Sequence, residues 1–156
     1  MKRVLFVIMV MAHVAAFAHE PIIIPTPQCV VIAEGCYTIS PNTTIFSSNI
    51  ELQTLVDYCV AEIGLTKSSK HGDIELVMND YLEAEEYRLI VSEEGIAIRG
   101  CDYGGLFNGV MTLLQLLPAN VYNGGLTGSA EVVCCEISDS PRYEYRGFML
   151  DVCRTW

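Results

Sequence analysis

The chain has 156 residues, 51% of them hydrophobic, and a formal net charge of −10. That length suits one domain with a sizeable core. The acidic balance excludes a nucleic-acid partner, because phosphate contacts need clustered Lys and Arg, and no basic stripe runs through the sequence.

The first stretch reads as a targeting segment. Lys2 and Arg3 form a positive n-region, Val4 to Val14 a mostly apolar run, and Ala16-Phe17-Ala18 a small-x-small cleavage site. Residues 1–18 are therefore expected to be a signal peptide. The run is too short and wrongly flanked for a membrane span. The expected address is export, periplasmic or extracellular, with no membrane partner after cleavage. Export permits disulfides, and seven cysteines are many for this length. There is no C-x-x-C pair and no His beside a Cys cluster. A metal site is not expected, and most cysteines read as small buried hydrophobes.

Pro21 to Pro27 is a proline-punctuated lead. Cys29 to Ala33 and Tyr37 to Ile39 read as two short strands around a Glu34-Gly35 turn, which would make Cys29 and Cys36 cross-strand neighbours. Thr43 to Phe46 reads as another short strand. Ser48 to Ile63 carries Leu52, Leu55, Val56, Cys59, Val60 and Ile63 at helical spacing. Ser48 and Glu51 fit a capping box, and Gly64 a C-terminal stop. Lys67 to Gly72 reads as a polar loop, and Asp73 to Met78 as a strand.

Tyr87 to Val91 and Ile96 to Arg99 form a hairpin around Glu93-Glu94-Gly95. Asp102 caps a second helix through Leu106, Val110, Leu113, Leu114 and Leu117, ended by Pro118. Asn123 to Ser129 is a glycine-rich loop, Glu131 to Ile137 a final strand, and Ser138 to Pro141 a short connector. This order predicts an α+β domain, an α/β sandwich with two helices on one face of a mixed sheet.

Few residues carry chemistry. Gly100, Gly104, Gly105 and Gly109 fit neither a G-x-G-x-x-G loop nor a P-loop, so they read as packing glycines. His71 sits between Lys70 and Gly72 in a polar loop and reads as solvated. Glu83, Glu85, Glu86, Glu93 and Glu94 flank turns and read as a solvated face rather than a glycosidase carboxylate pair. Asp151 differs: it is embedded in the apolar run Phe148-Met149-Leu150-Asp151-Val152, a pattern expected to be buried on both faces. Arg154 follows just past the end of that run, where a guanidinium offers a fixed fork of donors to vicinal hydroxyls or carboxylates. An ordinary ion pair closing a strand end is the plainer reading of the two.

Tyr87 to Pro118 resembles the end of the small N-terminal domain of glycoside hydrolase family 20 β-N-acetylhexosaminidases. The similar pieces are the Tyr-x-Leu strand, the Gly-Ile-x-Ile arm, the Gly-Leu-Phe turn and the Gly-Val-x-Thr-Leu-x-Gln-Leu-Leu helix. Ser140 to Tyr143 and Tyr145 to Val152, with Arg154, are similar to that family's entry into its catalytic barrel. Cys153 and Thr155 depart from the Ser and His often found there.

The resemblance implies three segments: residues 1–18 as signal peptide, 19–140 as the hexosaminidase-type N-terminal domain, and 141–156 as the start of a (β/α)8 catalytic domain, truncated. It implies that Arg154 binds hydroxyls of a terminal, non-reducing N-acetylglucosamine or N-acetylgalactosamine, with Asp151 supporting the site. It implies substrate-assisted retaining hydrolysis, in which the sugar's own 2-acetamido oxygen attacks the anomeric carbon, with no cofactor. An Asp orients that acetamide and a neighbouring Glu protonates the leaving oxygen. The Asp-Glu pair would lie beyond Trp156, so this chain alone is expected to be inactive. A stand-alone glycan-binding or interaction module, and a purely structural support, are the other readings.

Overall fold

The computed structural model describes residues 21–119, 121 and 125–150. The signal segment and the two site residues Asp151 and Arg154 lie outside the described residues, as does part of the glycine-rich loop. The elements in chain order are β1 (Cys29–Ile39), β2 (Thr44–Phe46), a 3₁₀ turn (Ile50–Leu52), α1 (Gln53–Ile63), β3 (Thr66–Lys67), β4 (Ile74–Met78), β5 (Tyr87–Ser92), β6 (Gly95–Gly100), α2 (Tyr103–Leu116) and β7 (Ala130–Asp139). The strands form one mixed sheet in the order β1-β7-β5-β6-β4-β2-β3. β1, β7, β5 and β6 pair antiparallel, whereas β6, β4, β2 and β3 pair parallel.

Alternation along the strands sets the buried face. In β5, Tyr87, Leu89 and Val91 are buried while Arg88, Ile90 and Ser92 are not. Across the ladders Leu89 opposes Ile98 and Ile137, and Val91 opposes Ile96 and Cys135, so one face is apolar throughout. The helices close it: α1 contributes Leu55, Val56, Cys59 and Ile63, and α2 contributes Leu106, Val110, Leu113 and Leu114. All join one core cluster. Each such side chain contributes about 1.5–3 kcal/mol by leaving water. On the other face Arg88 Nε lies 3.4 Å from Glu136 Oε1, in solvent.

Both helix boundaries follow local chemistry. Asp102 is extended and its Oδ1 accepts the Gly105 N–H at 2.7 Å, as expected of the α2 cap. Gly64 closes α1 in the left-handed region, φ +83. The capping box at Ser48 is not formed. The chain enters α1 through the 3₁₀ turn, where Asn49 Oδ1 accepts the Glu51 N–H at 2.8 Å. Ser47 is buried instead, its hydroxyl donating to the Leu76 carbonyl at 2.8 Å.

Three other expectations are corrected. Cys29 to Ile39 is one strand, not a hairpin, so Cys29 and Cys36 are not cross-strand neighbours. Ile32 opposes Cys135 and Cys36 opposes Val133, leaving Ala33, Glu34 and Gly35 bulged against Cys134. Gly35, at φ +97, absorbs the bulge without reversing the chain. The start of the polar loop, at Lys67, is part of β3, a short edge strand parallel to β2. Phe148, Met149 and Leu150 form no strand and are 89%, 90% and 69% exposed. Among the described residues no neighbouring strand runs beside them, and an apolar run without a partner backbone has no ladder to join.

Of six described cysteines, Cys59, Cys134 and Cys135 are buried, Cys101 is half-buried, and Cys29 and Cys36 are exposed. Burial pushes the Cys59 thiol up to about 12 and the Cys135 thiol to about 11, so both stay neutral and pack as apolar groups. Cys135 lies in the core. Cys134 feels Glu93 and Cys36 instead, after the larger effect of its own burial.

Candidate functional site

The described residues nearest in sequence to Asp151 and Arg154 are those of the connector leaving β7. Its start is tied to the proline-rich lead. Gln28 donates its N–H to Asp139 Oδ1 at 3.1 Å, and its Nε2 reaches the Ser140 carbonyl at 3.0 Å and hydroxyl at 2.8 Å. The lead is anchored in turn on α2, where Gln115 Oε1 accepts the Ile24 N–H at 2.8 Å. Lead and connector thus lie side by side over one edge of α2. Between them is a cavity of about 870 Å³, lined among others by Pro25, Tyr87, Asn108, Met111 and Arg142. Its floor is fixed by the Tyr87 hydroxyl, 2.6 Å from Thr112 Oγ1. Burial, and after it the Asp139 charge, raises the Tyr87 phenol above its ordinary value, against the lowering effect of the Thr112 bond.

The connector is pinned once more at Arg146. Its Nη2 lies 2.5 Å from Glu85 Oε2, and its Nη1 donates to the Tyr143 carbonyl at 3.4 Å. Glu85 is half-buried and sits in the left-handed region at φ +59, the one non-glycine residue there among the described residues. Its N–H donates to Asp102 Oδ2 at 3.0 Å, and its carbonyl accepts from Asn108 Nδ2 at 3.4 Å. The loop carrying Glu85 can sit this close to α2 because of glycines. A Cβ on Gly105 would strike the Glu86 carbonyl oxygen, and one on Gly104 would come within 3.2 Å of Glu85 Cγ. Packing is thus what these glycines serve.

Glu85 is therefore no solvated turn residue, although the sequence reads that way. The signal that could have found it is the Gly104-Gly105 pair, which leaves room over α2 for a docked loop. Glu83, Glu93 and Glu94 are exposed, as expected of a solvated face, and so is His71, whose ring lies 6.5 Å from Phe46. Among the described residues no group of His, Cys, Asp and Glu could hold a metal ion. The two acids at the cavity, Asp139 and Glu85, are each engaged by a donor, Gln28 and Arg146. What the arrangement can do is hold two chain segments in place; it offers no free acid–base pair of its own.

Residues 20–140 match the family model described as glycosyl hydrolase family 20, domain 2. A β-hexosaminidase of Porphyromonas gingivalis is 34% identical over 85% of this chain and 19% of its own length. β-Hexosaminidase subunit A1 of Dictyostelium discoideum is 29% identical over 98% of this chain and 31% of its own. The chain thus spans a fifth to a third of those relatives. Among solved structures, Streptomyces plicatus N-acetyl-β-hexosaminidase in complex with Thio-NAglucal superposes with a TM-score of 0.70 at 31% identity, covering 80% of this chain and 27% of that one. The exo-β-N-acetylglucosaminidase of Vibrio harveyi, an inactive D437A mutant, gives 0.68 at 28% identity, over 82% of this chain and 20% of that one. A seven-stranded mixed sheet with two helices, matched by that domain's model over residues 20–140, establishes that the chain belongs to glycoside hydrolase family 20.

Proposed function

We propose that this chain is the leading part of a β-N-acetylhexosaminidase that removes terminal, non-reducing N-acetylglucosamine or N-acetylgalactosamine from glycans. The observation that carries the proposal is the match of residues 20–140 to the family's domain 2, together with the activity named for each relative. In this reading residues 1–18 direct export to a periplasm or beyond. Residues 19–140 support a (β/α)8 barrel that residues 141–156 begin. Arg154 stands at the barrel mouth and donates to sugar hydroxyls, with Asp151 beside it. The hydrolysis is substrate-assisted and retaining: the 2-acetamido oxygen attacks the anomeric carbon, held by an Asp and helped by a Glu acid on a later strand. The described residues fit the supporting role, since they tie the connector down and the two acids at the cavity, Asp139 and Glu85, are each engaged by a donor.

The test compares two proteins on a chromogenic N-acetylglucosaminide. Residues 19–156 alone should give no turnover above background, while a chain extended through the barrel should turn over. In that longer protein Arg154→Ala should lower kcat/KM roughly ten- to a hundredfold, because hydrogen bonds from a charged donor contribute about 1.5–3 kcal/mol each. Turnover by residues 19–156 themselves would overturn the reading.

A further inference from the structure

We propose that Glu85 is a positioning residue, clasping Arg146 so that the segment carrying Asp151 and Arg154 leaves the domain in one fixed direction. The functional half of this rests on the hexosaminidase reading; the clasp itself does not. Four observations carry it. Glu85 holds a left-handed backbone, φ +59, that glycine would adopt without penalty. Its N–H and carbonyl are both bonded to α2, through Asp102 and Asn108, so the carboxylate is presented from a rigid base. Gly104 and Gly105 clear the space beneath it. The guanidinium it meets belongs to the connector, 61 residues away in sequence and five before Asp151.

An exposed ion pair between two flexible side chains does little. Here the backbone that carries Glu85 is anchored, so a pair of small energy can still favour one direction. Arg146 is also the last residue of the connector with a partner on the domain surface among the described contacts, since Phe148, Met149 and Leu150 stand in solvent. Arg146 is therefore the last described tie between the connector and the domain before Gly147. A site that binds a sugar through Arg154 needs that direction constant, because a displacement of an ångström is enough to weaken substrate capture.

The experiment has two arms. In the 156-residue chain, trypsin cleavage after Arg146 is timed against cleavage after Arg142 as an internal control. Glu85→Gln should speed the Arg146 cut three- to tenfold while leaving the melting temperature within about two degrees. Salt should speed the same cut in the unaltered chain but not in the variant. Equal cleavage in the two chains overturns the clasp. In the longer enzyme Glu85→Gln should raise KM several-fold with kcat held, and the exchange of Glu85→Arg with Arg146→Glu should bring KM most of the way back. Faster cleavage with an unchanged KM overturns the positioning role. If the longer enzyme carries no hexosaminidase activity even unaltered, the functional reading fails while the cleavage arm still decides the clasp.

Discussion

Asp102 serves two backbones at once. One carboxylate oxygen accepts the Gly105 N–H in the first turn of α2, and the other accepts the Glu85 N–H from the loop above. It was legible as a cap because an acid preceding an apolar periodic run is a helix start. Its second bond was not, because nothing within several residues of Asp102 announces Glu85. The prediction at this scale is that Asp102→Ala loses more than an ordinary cap. About 1–2 kcal/mol belongs to the helix terminus, and about 1 kcal/mol more to the loop bond. Asp102→Asn keeps acceptor geometry on one oxygen only and should fall between. Urea titrations of the three proteins check this, and equal midpoints for Asp102→Ala and the unaltered chain would refute it. Asp73 is the second two-bond carboxylate: its Oδ2 accepts both the amide and the hydroxyl of Thr44 at 2.8 Å. Those bonds hold its carboxyl below the usual carboxylate range.

At the level of elements, α2 was the easiest to read and β1 the hardest. The α2 helix carries its cap, its apolar period and its Pro118 stop in its own sequence. Its glycines also have local meaning: a Cβ on Gly109 would sit 2.5 Å from Ile98 Cγ2 and 3.2 Å from Tyr87 Cδ2. Gly109→Ala should therefore destabilise. The overpacking costs about 1–3 kcal/mol, against which helix propensity returns about 1 kcal/mol. The net change should lower the melting temperature by a few degrees, at about 2–4 °C per kcal/mol for a chain of this size. A rise in melting temperature would show that β6 yields to the methyl group. In β1, by contrast, a Glu-Gly pair within an apolar run looks the same locally whether it turns the chain or bulges it. Which occurs is decided by β7, whose Cys134 lies about a hundred residues on. The β3 strand fails for a similar reason, since two exposed residues on a sheet edge carry no pattern. The Ser48 cap was displaced by one residue because Ser47 and Asn49 each found a better partner.

Over the whole molecule, the sequence carried the fold class because apolar periods of two and of 3.6 alternate cleanly along it. It did not reveal the Glu85–Arg146 clasp, which only the docked loop brings together. The connector past Pro141 contributes little to the core, with Phe148 to Leu150 in solvent. A chain ending at Ser140 should therefore melt cooperatively within a few degrees of the 156-residue chain, losing one exposed ion pair worth at most about 1 kcal/mol. It should also stay soluble at higher concentration, because an exposed apolar run is an aggregation hazard. Loss of a cooperative melt would mean that the connector completes the core. The strand order has a consequence for how the molecule is made. β7 lies between β1 and β5, although it is the last of the seven strands among the described residues. On the ribosome β1 emerges first and has no sheet neighbour until Asp139 has been synthesised. Pairing of β1 must therefore wait for the whole of the intervening chain, a non-local contact that joins Cys29 to Ser138, and pairings of such span form slowly.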